Sequence, residues 1–198
     1  VDIGAGDGKH RSAIEKRDWR WIGLDPSPMP DLSIIGSAYE MPFQNASIDL
    51  VFASQILEHL THPLQALSEV FRIRRPTGFL VGSVSFLEPW HESCYCFSHW
   101  GIEQILLDSG FELVKICPGT SVFVVLASHL LPDTRLGPMI GGLFGQVVMD
   151  FLWWFGGLYI FLRFRKKSPE WQKYKSFFDK APLRFAGHIQ FVAKKIEH

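Results

Sequence analysis

Apolar and polar positions along this chain of 198 residues fall into short blocks of two periods. Val1, Asp2 and Ile3 read as the end of a buried strand, and the glycine-rich turn 4–8 leads into a helix over 9–16. An apolar run at 19–24 stops at Asp25-Pro26, and 32–35 is a short β-branched third strand. Residues 48–53 are a fourth strand after the turn-forming stretch 44–47. Leu64, Leu67, Val70 and Phe71 recur at helical spacing, which predicts a helix over 63–73. Pro76-Thr77-Gly78 breaks that pattern ahead of a fifth strand at 79–86. A helix over 100–107 stops at Gly110, a sixth strand follows at 111–117, and 188–193 reads as the last strand.

Strands alternating with helices at this pitch predict an α/β fold. The expected form is a Rossmann-like, doubly wound, mainly parallel seven-stranded sheet whose last strand is antiparallel. Residues 120–185 interrupt the alternation where a hairpin would serve, so they are expected to form a helical hydrophobic insertion or lid between the last two strands. The main domain then comprises 1–119 and 186–198. A strand that opens on its last three residues leads us to expect a truncated N-terminus.

The insertion contains the most unusual pattern. Residues 138–162 hold one charge, Asp150, and are followed by Arg163, Arg165, Lys166 and Lys167. Length and basic flank suit a membrane span. Asp150 near the centre opposes one, at about 2.5–3.5 kcal/mol on insertion scales. Two other readings stand beside it. One is an interfacial element that sets Trp153, Trp154, Phe155 and Tyr159 at the lipid boundary. The other is a soluble lid packed over a pocket or against a second copy of the chain. Residues 122–131 are a second apolar run, able to pair with it as a helical hairpin.

Lys+Arg and Asp+Glu are both 20, so the formal net charge is zero and no nucleic-acid partner is expected. Cys94, Cys96 and Cys117 make neither a disulfide framework nor a zinc quartet, which fits a reducing cytoplasm. The expected location is cytoplasmic, with 138–167 available for peripheral contact with a membrane. Residues 171–178 alternate aromatic and lysine positions and read as a surface helix.

The candidate chemistry lies on one rim, beyond the carboxyl ends of the parallel strands. Asp2, Gly4, Gly6 and Gly8 form an acid followed by a turn that lets a ligand approach the main chain. Asp25, at the end of the second strand, is placed for a carboxylate that accepts ribose hydroxyls. A dinucleotide fingerprint needs a third glycine where this chain has Lys9, which disfavours a nicotinamide oxidoreductase.

Taken together, these blocks resemble class I methyltransferases that depend on S-adenosylmethionine, of the type 11 methyltransferase domain family. Residues 1–8 are similar to that family's first motif and 23–28 to its acidic motif. Residues 38–43 resemble its adenine-contacting loop, 49–60 its fourth strand and following turn, and 69–78 the helix and turn before its fifth strand. The resemblance covers 1–119 and resumes at 187–195. It implies S-adenosylmethionine as cofactor, held by Asp2, Gly4, Gly6, Gly8, Asp25, Pro26, Ser37, Ala38, Tyr39, Ser54 and Gln55. Ser37 stands where the family often has an acid, so adenine recognition leans on the Ser37 hydroxyl or on backbone at Ala38 and Tyr39.

The implied reaction is methyl transfer to a nucleophile, for which the protein mainly supplies alignment and a dry site. A general base is needed only when the acceptor must lose a proton. The candidates are His59 and His91, with His99, Glu58 and Tyr95 behind them. The expected acceptor is small and apolar. The competing expectations are a binding module that keeps the fold without turnover and a membrane-associated lipid or quinone methyltransferase.

Overall fold

The computed structural model describes residues 1–88, 92–131, 135–163 and 169–196. Seven strands form one sheet in the order β3-β2-β1-β4-β5-β7-β6. They are β1 (Asp2–Ile3), β2 (Gly23–Asp25), β3 (Ile34–Ile35), β4 (Ile48–Ser54), β5 (Arg74–Ser85), β6 (Phe111–Pro118) and β7 (His188–Lys195). β1 pairs in parallel with β2 and β4, β2 with β3, and β4 with β5. β7 runs against β6: the Gly119 amide donates to the His188 carbonyl at one end, and Ile196 donates to Gly110 at the other. The mainly parallel sheet with an antiparallel last strand is therefore the observed fold.

The helices before the insertion are α1 (Arg11–Glu15), α2 (Pro63–Ile73) and α3 (His99–Asp108). α2 keeps the predicted bounds because its apolar stripe and its start at a proline both mark it. Its Leu67, Val70 and Ile73 are buried with Leu80, Ile102 and Leu106. Each such side chain contributes roughly 1.5–3 kcal/mol. α1 is shorter than predicted. It lacks a side-chain cap and carries no acid in its first turn, so little holds its ends.

β5 begins at Arg74, five residues earlier than predicted. The Pro76-Thr77-Gly78 stretch sits inside the strand, where the register against β4 shifts between Ile48 and Leu50. A bulge absorbs the residues that pattern alone reads as a turn. Arg74 is fully buried, with its guanidinium over the Phe111 ring at 5.4 Å. Burial pushes its pKa below the ordinary arginine range.

The insertion is helical, as expected: α4 (Val122–Leu130), α5 (Leu136–Arg163), α6 (Pro169–Asp179) and α7 (Ala181–Arg184). By contacts the chain divides into two compact units. One is Val1–Ser85, Glu92–Cys117 and the chain from Gln190 onward; the other is Phe86–His91 and Pro118–Ile189. In the second unit α4 and α5 form a hairpin. Gly137, Gly141 and Gly145 lie along one side of α5, and a Cβ at Gly141 would clash with the Phe123 carbonyl oxygen. Glycine at these positions lets the two backbones approach.

Candidate functional site

The turn after β1 is held by backbone hydrogen bonds to β2. The amides of Gly4 and Ala5 both donate to the Leu24 carbonyl, at 2.9 and 3.2 Å. Gly4 has φ +66°, and a Cβ there would meet the Ile56 side chain at 2.7 Å. Gly6 has φ +50° with nothing within 4 Å of an added Cβ. Both need the left-handed backbone that glycine adopts freely, and only Gly6 faces open space.

Asp25 closes the turn. Its Oδ2 accepts the Gly6 amide at 3.0 Å and its Oδ1 accepts Ser27 at 2.9 Å, so one carboxylate joins the ends of β1 and β2. Pro26, between them, is exposed. Asp2 is buried, and the Trp21 indole donates to its Oδ2 at 3.0 Å. Burial pushes the Asp2 carboxyl above its usual range, opposed first by that hydrogen bond and then by the nearby charges of His10 and Lys9.

The loop holding Ser37, Ala38 and Tyr39 is tied at both ends. The Ser37 hydroxyl accepts the Tyr39 amide at 3.1 Å, and Ala38 is buried. The Tyr39 hydroxyl lies 3.2 Å from Thr61 Oγ1 and accepts the His62 amide at 3.3 Å. Farther along, Glu69 Oε2 accepts the Met41 amide at 2.8 Å, while Arg72 donates to the carbonyls of Met41 and Phe43 at 2.8 and 2.7 Å. Glu69 and Arg72 pair with each other at 2.7 Å, and Arg72 holds the Glu69 carboxyl below its ordinary range. This clamp was missed in the sequence; its visible trace was an acid and an arginine three apart on α2.

Ser54 and Gln55 leave the end of β4. Ser54 Oγ lies 3.2 Å from Ser83 Oγ, and the Gln55 amide donates to the Ser83 carbonyl at 2.9 Å. Ser54 and Ser83 also line a cavity of about 420 Å³ with His10, Phe52, Lys115 and Cys117. Glu58, a candidate base, is fully buried, and its Oε1 accepts the Ser85 amide at 2.9 Å. Its carbonyl accepts the amides of Cys94 and Tyr95, so it joins three segments of the site.

His59 is exposed beside it, and its carbonyl accepts the Cys94 thiol. Tyr95 is exposed and donates to the Thr61 carbonyl at 3.0 Å. His99 opens α3, with its Nδ1 buried. His91 lies outside the described residues. The geometry adds one pair that no local pattern could show: His188 Nε2 stands 2.7 Å from Glu88 Oε2, a hundred residues away in the chain. Among the described residues no cluster of His, Cys, Asp or Glu is arranged to hold a metal, and all three cysteines are free.

A glycine turn, a carboxylate bridging β1 and β2, a tethered loop after β3 and the exit of β4 thus line one rim. The family model described as a methyltransferase domain matches residues 1–82. Those residues are similar to a methyltransferase domain. An uncharacterized methyltransferase of Mycobacterium sp. (strain KMS) is 29% identical over 91 residues, covering 41% of this chain and 36% of that protein. The chain thus matches little over a third of that relative's length.

Two solved structures share the fold well beyond the matched residues. One is the putative methyltransferase in complex with the Haloferax volcanii Trm112 methyltransferase activator. It has a TM-score of 0.60 and 18% identity, covering 100% of this chain and 82% of the other. The second is a Burkholderia thailandensis 1,6-didemethyltoxoflavin-N1-methyltransferase with bound 1,6-didemethyltoxoflavin and S-adenosylhomocysteine. Its TM-score is 0.60 at 13% identity, covering 99% and 70% of the two chains.

Proposed function

We propose that this chain catalyses methyl transfer from S-adenosylmethionine to a small, apolar acceptor. One observation carries the reading: the Gly6 amide is fixed to the Asp25 carboxylate while the space over Gly6 stays open. An adenosyl ligand fits there. Asp25, with Pro26 beside it, faces the ribose hydroxyls. Ser37, Ala38 and Tyr39 face the adenine. The turn through Gly4, Gly6 and Gly8 accommodates the amino-acid end, with Asp2 beneath it and Ser54 and Gln55 alongside. Bound there, the cofactor supplies a methyl already activated on a sulfonium. The protein's share is to align donor and acceptor and exclude water. Where the acceptor carries a proton, His59 is the exposed base on the rim, and His91 is the second candidate.

The apolar acceptor is supported by the unit containing the insertion. It holds a cavity of about 250 Å³ lined by Phe123, Val124, Met149 and Phe185, with Gln146 and Ser121 as its polar groups. We read residues 120–185 as the lid that carries the acceptor.

Titration calorimetry with S-adenosylhomocysteine tests this. The full chain is expected to bind one equivalent. Gly6→Ala, whose Cβ enters the open space, is expected to weaken binding about a hundredfold, roughly 2.7 kcal/mol, while the protein still melts cooperatively. A folded chain that does not bind overturns the proposal. Binding without methyl transfer to any apolar acceptor supplied leaves a binding module instead of an enzyme.

A further inference from the structure

α5 carries an apolar face that is exposed among the described residues. Ile140, Leu143, Val147, Phe151, Trp154 and Leu158 are between 40% and 66% exposed. At 3.6 residues per turn they project from one side, and from first to last they span about 27 Å. Single exposed apolar residues are ordinary on a protein surface; a continuous stripe of this length is not. Its borders are defined. On one side Gly137, Gly141 and Gly145 turn toward α4. On the other, Gln146 Nε2 donates to Asp150 Oδ1 at 2.9 Å, which makes a polar edge. Among the described residues no helix is long and apolar enough to cross a membrane.

The occupant follows from charge. The zero net charge of the chain is a cancellation between two parts. Residues 118–189 contain nine Lys and Arg against four Asp and Glu, a net of +5; the remainder contains eleven against sixteen, a net of −5. Within the described part of this segment, Arg163 ends α5, and Lys173 and Lys175 are exposed on α6. A basic segment carrying an uncovered aromatic and aliphatic stripe matches the surface of an anionic bilayer, where acyl chains meet phosphate headgroups. A second copy is the poorer partner, because a twofold contact through this stripe brings the same cationic flanks together.

We propose that the α4–α5 hairpin docks in the plane of an anionic membrane surface through this stripe, with Trp154 and Phe151 at the acyl boundary and the lysines on headgroups. The proposal is independent of whether the chain transfers methyl groups.

Sedimentation of the full chain with vesicles tests it. The probes are phosphatidylcholine alone and phosphatidylcholine with about one-third phosphatidylglycerol. Partition onto the anionic vesicles is expected to be at least about tenfold greater and to weaken with salt. Phe151→Ser with Trp154→Ser, both exposed, is expected to lower it about tenfold at unchanged circular dichroism. Lys173→Glu with Lys175→Glu is expected to erase the preference for anionic lipid. Affinity for S-adenosylhomocysteine, measured on the same variants, is expected not to change, so failure at the membrane and failure of the methyltransferase reading are separable. No partition, equal partition on neutral vesicles, or a lipid-free dimer that the double serine variant dissociates would each overturn the proposal.

Discussion

Asp2 shows at the scale of one residue how a buried acid can work against the fold. Its folded pKa lies above the ordinary value of 3.8, chiefly because it is buried. Such a carboxyl favours folding while protonated. That contribution is fully present below pH 3.8 and is lost as pH rises through the raised folded value. The ionised form of Asp2 therefore opposes folding. Asp2→Asn keeps an acceptor for the Trp21 indole and removes the charge. Its melting temperature at pH 7 is expected to equal or exceed that of the parent, with the gap closing toward pH 3 in thermal denaturation. Under the proposed function, which sets Asp2 beneath the amino-acid end of the cofactor, affinity for S-adenosylhomocysteine is expected to drop about tenfold, roughly 1.4 kcal/mol. Asp2 was legible as a candidate from its place before the glycine turn. Its burial under Trp21 was not, because that contact joins the ends of two adjacent strands.

At the scale of elements, α2 does more than cover the sheet. Through Glu69 and Arg72 it grips the loop at 41–45. The Glu69 carboxyl sits below its ordinary pKa because Arg72 bonds it. Its stabilising contribution is present above the unfolded value of 4.5 and is lost as pH falls through the lowered folded value. Glu69→Gln is expected to lose about 1–2 kcal/mol in urea unfolding at pH 7, and progressively less as pH falls below 4.5. Several-fold weaker binding of S-adenosylhomocysteine is expected alongside, since the loop bearing Ser37, Ala38 and Tyr39 loses an anchor. The bounds of α2 were readable because its stripe and its starting proline agree. The β5 start was misread because a proline and a glycine in a bulge look like a turn in sequence.

For the whole molecule, the join between sheet and insertion is short. The Gly187 amide donates to the Thr120 carbonyl at 2.7 Å, and Ser121 pairs with Ala186, so the insertion leaves and returns at one point. Replacing 121–186 with an Asn-Gly turn is expected to give a cooperatively melting α/β unit that retains S-adenosylhomocysteine binding and no longer sediments with anionic vesicles. A variant that fails to melt cooperatively would show that the sheet depends on the inserted helices.

The order of elements, the glycine turn with its two acids, and the foreign character of 120–185 were determined by sequence alone. Local backbone preference and hydrophobic period act over a few residues and leave a linear record. Only the tertiary structure decided that Glu58 is buried against Ser85, that Glu69 and Arg72 hold the loop, that His188 meets Glu88, and which side of α5 stays uncovered. Each of these depends on segments 27 or more residues apart, or on which face of a helix a neighbour happens to cover. Period specifies that a face is apolar; packing specifies what, if anything, lies against it.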